Sequence, residues 1–236
     1  MITTSTSFCR EIRIHAPRER VWKALTDPEE LNRWETQSAA IDLRIGGRIE
    51  LDYGGIKDLG TIVELDPPAR LAYQDEAGLR TTWTLEDEGG STLVRLEMSG
   101  FGLGDFSQLQ REGASFSMGL LMQNLRSVVE EGRDLRPNFW RVRLGVTYVS
   151  LRTDHGDRGV PDGALVLQVA QGSPAHEAGL RAGDIVRRAN GKPVRTYADL
   201  AQVLHETGPG EPVALDVFRE GSMMRLVAVA APSSVA

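Results

Sequence analysis

The chain has 236 residues, 41% hydrophobic and 25% charged, which are ordinary values for a globular chain with room for one large domain or two small ones. Its net charge of −6 is uneven: residues 1–136 hold 16 Arg and Lys against 23 Asp and Glu, whereas residues 137–236 hold 11 against 10. Neither half is the strongly basic surface that a polyanion requires, which argues against a nucleic-acid partner, and a single cysteine, Cys9, excludes an intramolecular disulfide and a Cys-built metal site.

The start, MITTSTSFCREIRI, has no basic segment followed by an apolar run, and no apolar stretch approaches the length of a membrane span. A cytoplasmic location is therefore expected. From residue 8, FCREIRIHA alternates as a strand, with Ile12 and Ile14 set against Glu11 and Arg13. A helix is predicted to open at Pro17, and Val21, Trp22 and Leu25 form its apolar stripe. Asp27-Pro28-Glu29-Glu30 signals a second helix, with a capping carboxylate and a proline at the first helical position, and it carries Leu31 and Trp34.

Six strand-like runs follow with turn chemistry between them: IDLRI, RIELDY, TIVEL, RLAYQ, RTTWTL and TLVRLEM. With no helix between them, they should pair as an antiparallel meander. A long helix is predicted from about Phe106 to Glu131, striped by Phe106, Leu109, Phe116, Leu120 or Leu121, Leu125 and Val128. These elements predict a curved sheet gripping that helix.

The order, together with VWKALTDPEELNRWE, DLRIGGRIEL, PPARLAYQ, TTWTLEDEGGSTLVRLEMSGFG and NLRSVVEEG, resembles the START-like SRPBCC superfamily, in the branch of homologues of the activator of the heat-shock-protein ATPase. The resemblance covers about residues 8–134. It implies a helix-grip α+β fold with a cavity between sheet and helix that holds an apolar small molecule in some members, and it leaves a chaperone surface as another partner. One departure is Ser117-Met118 ahead of Asn124-Leu125, where the family often has Gly-Trp, which reshapes the cavity. Trp34, Tyr53, Trp83, Met118 and Met122 are the candidate cavity-lining residues. Cavity lining and complete filling of the core both stand open for them.

GRDLRPNF lacks periodicity and marks a linker at about 131–139. Beyond it come RVRLGVTYVSL, a polar loop RTDHGDRGVPDG, ALVLQVA, the glycine-rich SPAHEAGLRAGDIVRRANG, a helix within PVRTYADLAQVLHETG, and then PVALDVF and MMRLVAVA. The glycine-rich stretch fails as a phosphate loop, because Gly191-Lys192 is followed by Pro193 and Val186 stands where the first glycine is needed. It reads better as corners: Ser173 capping a one-turn helix, Gly179 ending it, and Asn190-Gly191 forming a two-residue hairpin.

This pattern resembles the PDZ domains attached to high-temperature-requirement proteases, over about residues 138–232, and implies a small β-sandwich or barrel with two helices. Such domains take a peptide C-terminus by adding it to a sheet edge. The resemblance places the carboxylate loop on Arg143, Leu144, Gly145 and Val146, with the amides of the last three facing the carboxylate. The peptide would run along Val146, Thr147, Tyr148 and on to Ser150. Tyr197, Ala201 and Leu204 would line the groove, with Leu200 and Val203 toward the core. Tyr197 in place of a histidine favours an apolar ligand over one with Ser or Thr two residues from its end.

Catalytic signals are absent from the sequence. His15, His155, His176 and His205 show no metal-ligand spacing, no GxSxG occurs, and GFGLG at 100–104 follows an antiparallel strand outside any βαβ context. No cofactor or metal is expected. The expectation is a non-catalytic binding or adaptor protein, with a cavity enzyme and a co-chaperone as alternatives. The chain's own end, PSSVA, is read either as a frayed tail or as a ligand for a neighbour's groove.

Overall fold

The computed structural model describes residues 6–54, 56–151 and 162–233. His155, most of the polar loop and the last three residues of the PSSVA end lie outside the described residues. By internal contacts the described residues divide into two compact units, one holding those from residue 6 to Leu103 with Ser117–Pro137, the other holding Gly104–Phe116 with the described residues from Asn138 onward.

The first unit starts with β1 (Ser7–Ile14), α1 (Arg18–Thr26) and α2 (Pro28–Trp34). Pro17 occupies the cap position of α1 rather than its first turn: its ψ of 149° is extended, and its carbonyl accepts from Val21. In α2, Asp27 caps as expected, accepting from the amide of Glu29 at 2.9 Å, with Pro28 in the first turn. The strands are β2 (Ser38–Ile41), β3 (Arg48–Asp52), β4 (Lys57–Asp66), β5 (Arg70–Gln74), β6 (Arg80–Asp87) and β7 (Thr92–Ser99). They form one antiparallel sheet in the order β1-β7-β6-β5-β4-β3-β2, so β1 pairs with the last strand of the meander.

The long helix α3 (Asp105–Glu131) is a single element, but its deeply buried residues, from Leu120 to Val128, all fall in the second half. Phe106, expected on the apolar stripe, is 71% exposed. The deeply buried part of the gripped helix is thus its second half, which belongs to the sheet's unit. Asn124 is central to it: its side-chain amide donates to the carbonyl of Trp34 at 2.7 Å and to Asp134 at 2.9 Å, while its oxygen accepts from the amide of Leu135. Arg136, in a 3₁₀ turn (Arg136–Asn138), donates to the carbonyl of Asn32 in the last turn of α2, where helix carbonyls lack partners within the helix, and to that of Thr36 just beyond it.

The second unit contains β8 (Val142–Arg143), β9 (Val146–Leu151), β10 (Gly163–Val169), α4 (Pro174–Glu177), β11 (Ile185–Ala189), β12 (Lys192–Pro193), α5 (Tyr197–Glu206), β13 (Pro212–Arg219), β14 (Ser222–Val229) and β15 (Ala231–Pro232). The main sheet runs β14-β13-β11-β10-β9 with β12 on β11, and β15 pairs separately with β8. Ser173 caps α4, accepting from the amide of His176, and Asn190 and Gly191 both take positive φ in the turn between β11 and β12. The glycine-rich stretch thus supplies caps and corners. Asp184, 1% exposed, holds the corner before β11 through a two-pronged pair with Arg219, both contacts 2.6 Å, and accepts from the amide of Arg181. No helix among the described residues is long and apolar enough to cross a membrane.

Candidate functional site

The second unit offers a groove along β9. Among the described residues that strand pairs only with β10 and so forms one edge of the sheet, and α5 packs against the same core. A capping box starts α5: the Thr196 hydroxyl accepts from the amide of Asp199, whose carboxylate accepts from the amide of Thr196. A further bond ties helix to strand, the Tyr197 amide donating to Ser150 Oγ at 2.7 Å.

Along β9, Val146 and Tyr148 belong to the core side, and alternation turns Thr147 to the other face. Tyr148 is buried and stacks on Tyr197 with centroids 4.7 Å apart and planes at 24°. Burial raises the hydroxyl pKa of both rings, so both stay neutral, uncharged groups of a largely apolar wall. Leu204 and Val146 lie half-buried on the same cluster, and Ala201 is buried on α5. At the mouth, Leu144 is buried, Arg143 is exposed and paired in β8, and Gly145 has a φ of +72°. A side chain at 145 would also collide with Ser173, whose Cβ would lie 2.3 Å from the added atom, so glycine is required there on two counts.

Three residues that sequence reasoning missed also sit on this groove. Gln108 Nε2 donates to the Ser150 carbonyl at 2.7 Å, the Ser150 amide donates to Glu112 Oε2 at 2.8 Å, and the Phe116 ring meets Tyr197 edge-on at 6.5 Å. Their signal was the four-residue spacing of Gln108, Glu112 and Phe116, which places them on one face of α3.

The first unit holds a different arrangement on one face of its sheet. Pairing sets Leu51 opposite Asp58, Ile62 opposite Tyr73, Tyr73 opposite Thr81 and Leu71 opposite Trp83, so these side chains share a face. Trp34 and Trp83 are both buried and meet edge to face at 6.2 Å, and Met122 is buried while Met118 is half-buried. Tyr53, half-buried, donates from its hydroxyl to Glu35 Oε1 at 2.9 Å. Glu35 is only 7% exposed, and burial pushes its carboxyl up to about 7; the Tyr53 hydroxyl opposes this, Asp58 adds to it and Arg136 offsets part. Asp58 is itself raised, first by burial and then by Asp75. A carboxyl poised this way can give or accept a hydrogen bond in an otherwise apolar setting. Glu35 and Tyr73 fall within the strings VWKALTDPEELNRWE and PPARLAYQ, but no motif marked either of them, or Asp58, as a buried polar group.

Residues 15–130 match the family model described as Activator of Hsp90 ATPase homolog 1-like protein, and residues 142–229 match the model of the PDZ domain. Along the chain, an Activator of Hsp90 ATPase homolog 1-like region is thus followed by a PDZ region. Over 66 residues the PDZ region is 44% identical to a probable periplasmic serine endoprotease DegP-like of Ectopseudomonas mendocina, a match covering 28% of this chain and 14% of that protein. A periplasmic pH-dependent serine endoprotease DegQ of Escherichia coli is 39% identical over 67 residues, covering 28% and 15%. The chain thus spans about a seventh of the length of these relatives. Among solved structures, the Aha1 dimer from Colwellia psychrerythraea aligns with a TM-score of 0.49 and 21% identity, covering 54% of this chain and 98% of that one. Both domains belong to binding folds, and a binding or adaptor role in general is what they support.

Proposed function

We propose that the PDZ domain captures the C-terminus of a protein or peptide with an apolar last residue. The observation that carries this reading is the open edge of β9 running from the Gly145 loop past Tyr148 and α5. Main-chain bonding to an edge strand gives affinity largely independent of sequence, and an apolar wall of Val146, Tyr197 and Leu204 selects an apolar side chain. The amides of Leu144, Gly145 and Val146 receive the carboxylate, with Arg143 adding charge. A pool of labelled peptides with free C-terminal Val, Ile, Leu or Phe tests it: binding to the full chain should vanish when the carboxylate is amidated. Equal binding of amidated and free peptides would rule out carboxylate capture.

A second binding function rests on Glu35. A buried carboxyl raised to about 7 and held by the Tyr53 hydroxyl, in a unit whose buried residues include Trp34, Trp83 and Met122, suits an apolar small molecule bearing one polar group. Medium-chain fatty alcohols should raise the melting temperature of the wild-type chain more than that of Glu35→Ala. No shift with any chain length would count against it.

A further inference from the structure

We infer that the first half of α3, Asp105–Phe116, is a built-in competitor for the peptide groove. The inference rests on the peptide reading and adds a regulator to it. By alternation along β9, Val146, Tyr148 and Ser150 direct their N–H and C=O groups away from β10, toward the line an added strand would take. The third of these positions is already taken. The Ser150 carbonyl accepts from Gln108 Nε2 and its amide donates to Glu112 Oε2, so a glutamine and a glutamate one helical turn apart supply the donor and acceptor that a peptide backbone would otherwise bring.

The pair is braced internally, Gln108 Nε2 also lying 3.1 Å from Glu112 Oε1. One further turn along, Phe116 packs on Tyr197, the residue at the head of the groove-lining helix, and a methyl added at Gly113 would lie 3.6 Å from the Tyr197 hydroxyl oxygen. Polar and aromatic contacts from the same face of α3 therefore cover the far end of the groove, while the end at Gly145 carries none of them.

Length is the consequence that distinguishes this arrangement from mere packing. A peptide anchored by its carboxylate at Gly145 advances about 3.3 Å per residue and reaches Ser150 roughly four or five residues from its end. A peptide of three residues fits without disturbing α3, whereas a longer one must displace Gln108 and Glu112. Its apparent affinity is lowered by the fraction of molecules in which the helix is in place.

The test compares full-length wild type, Gln108→Ala with Glu112→Ala, and Glu112→Gln. Alanine favours a helix, so the double variant keeps α3, and Glu112→Gln retains an acceptor for the Ser150 amide. Labelled ten-residue peptides with free apolar C-termini should bind the double variant about tenfold more tightly than wild type, three-residue peptides should bind both alike, and Glu112→Gln should behave as wild type. Amide hydrogen exchange gives a readout that needs no peptide: protection at Ser150 should drop in the double variant. Equal long-peptide affinity in wild type and double variant overturns the competitor while leaving the peptide reading in place. Unchanged Ser150 protection overturns it as well. If no peptide of either length binds any of the three proteins, the peptide reading fails and the competitor falls with it, even where Ser150 protection drops.

Discussion

The two halves of α3 use one helical period for two purposes. From Leu120 to Val128 the buried stripe is mostly apolar and deeply covered, with Asn124 as its polar centre. From Gln108 to Phe116 the inward face is half-buried and carries a glutamine, a glutamate and one ring. The first kind of face stabilises a fold, because its atoms leave water permanently. The second kind is exchangeable, because hydrogen bonds between half-exposed groups and a strand edge contribute only about 1 kcal/mol each and can be replaced by a ligand's own.

The largest expected effect lies in the second half. Leu125→Ala empties a fully buried site and should destabilise the first unit by about 3 to 5 kcal/mol, read as a lower denaturation midpoint with an unchanged slope. A loss under about 1 kcal/mol would mean that this half is as loosely held as the other. Asn124→Ala comes next, at about 2 to 4 kcal/mol, since it leaves the buried Trp34 carbonyl and Leu135 amide without their partner. Asn124→Asp should be no rescue, because Asn124 donates to Asp134 and a carboxylate there would face a like charge.

Asn124 also fixes the end of α2, from which Glu35 extends, and so links this half of the helix to the buried carboxyl. Glu35 has its folded-state value raised to about 7 from the ordinary 4.5, so the folded protein holds the proton more tightly than the unfolded chain. Its favourable contribution is fully present below about 4.5 and is lost as pH rises through about 7. Wild type should therefore lose on the order of 2 to 3 kcal/mol across that window relative to Glu35→Gln, in chemical denaturation at a series of pH values. Parallel pH profiles for the two proteins would show that the carboxyl is not buried in solution.

The smallest effect belongs to the first half. Glu112→Ala, which removes a hydrogen bond to the strand edge, should change global stability by no more than about 1 kcal/mol by denaturant melt. A destabilisation as large as that of Leu125→Ala would mean that residues 108–116 are part of a permanent core, and the contrast between the halves would disappear.

Much of this was legible beforehand, for reasons visible in particular residues. Caps and turns are local: Asp27-Pro28, Ser173-Pro174 and Asn190-Gly191 encode their geometry within a few positions, and they mark where helices and strands begin and end. Alternation located β1 and the meander, because one face of each strand is buried. The stripe on α3 was correctly periodic yet misleading at Phe106, which is exposed, and at Phe116, which packs on Tyr197, since periodicity does not name what covers a face. The buried polar groups were illegible for a related reason. Glu35, Asp58 and Tyr73 come from different elements, and only the pairing register of neighbouring strands places Tyr73 and Asp58 on one face, while a separate hydrogen bond joins Tyr53 to Glu35. The Asp184–Arg219 pair, 35 residues apart in sequence, is hidden in the same way.

The most direct measurement of the central claim is a two-dimensional amide spectrum of the full chain titrated with a ten-residue peptide ending in a free apolar carboxylate. The account predicts shifts at Leu144, Gly145 and Val146 together with Ser150, Gln108 and Glu112, as the carboxylate enters the loop and the helix gives up its strand contact. Shifts confined elsewhere, or none at saturating peptide, would contradict it.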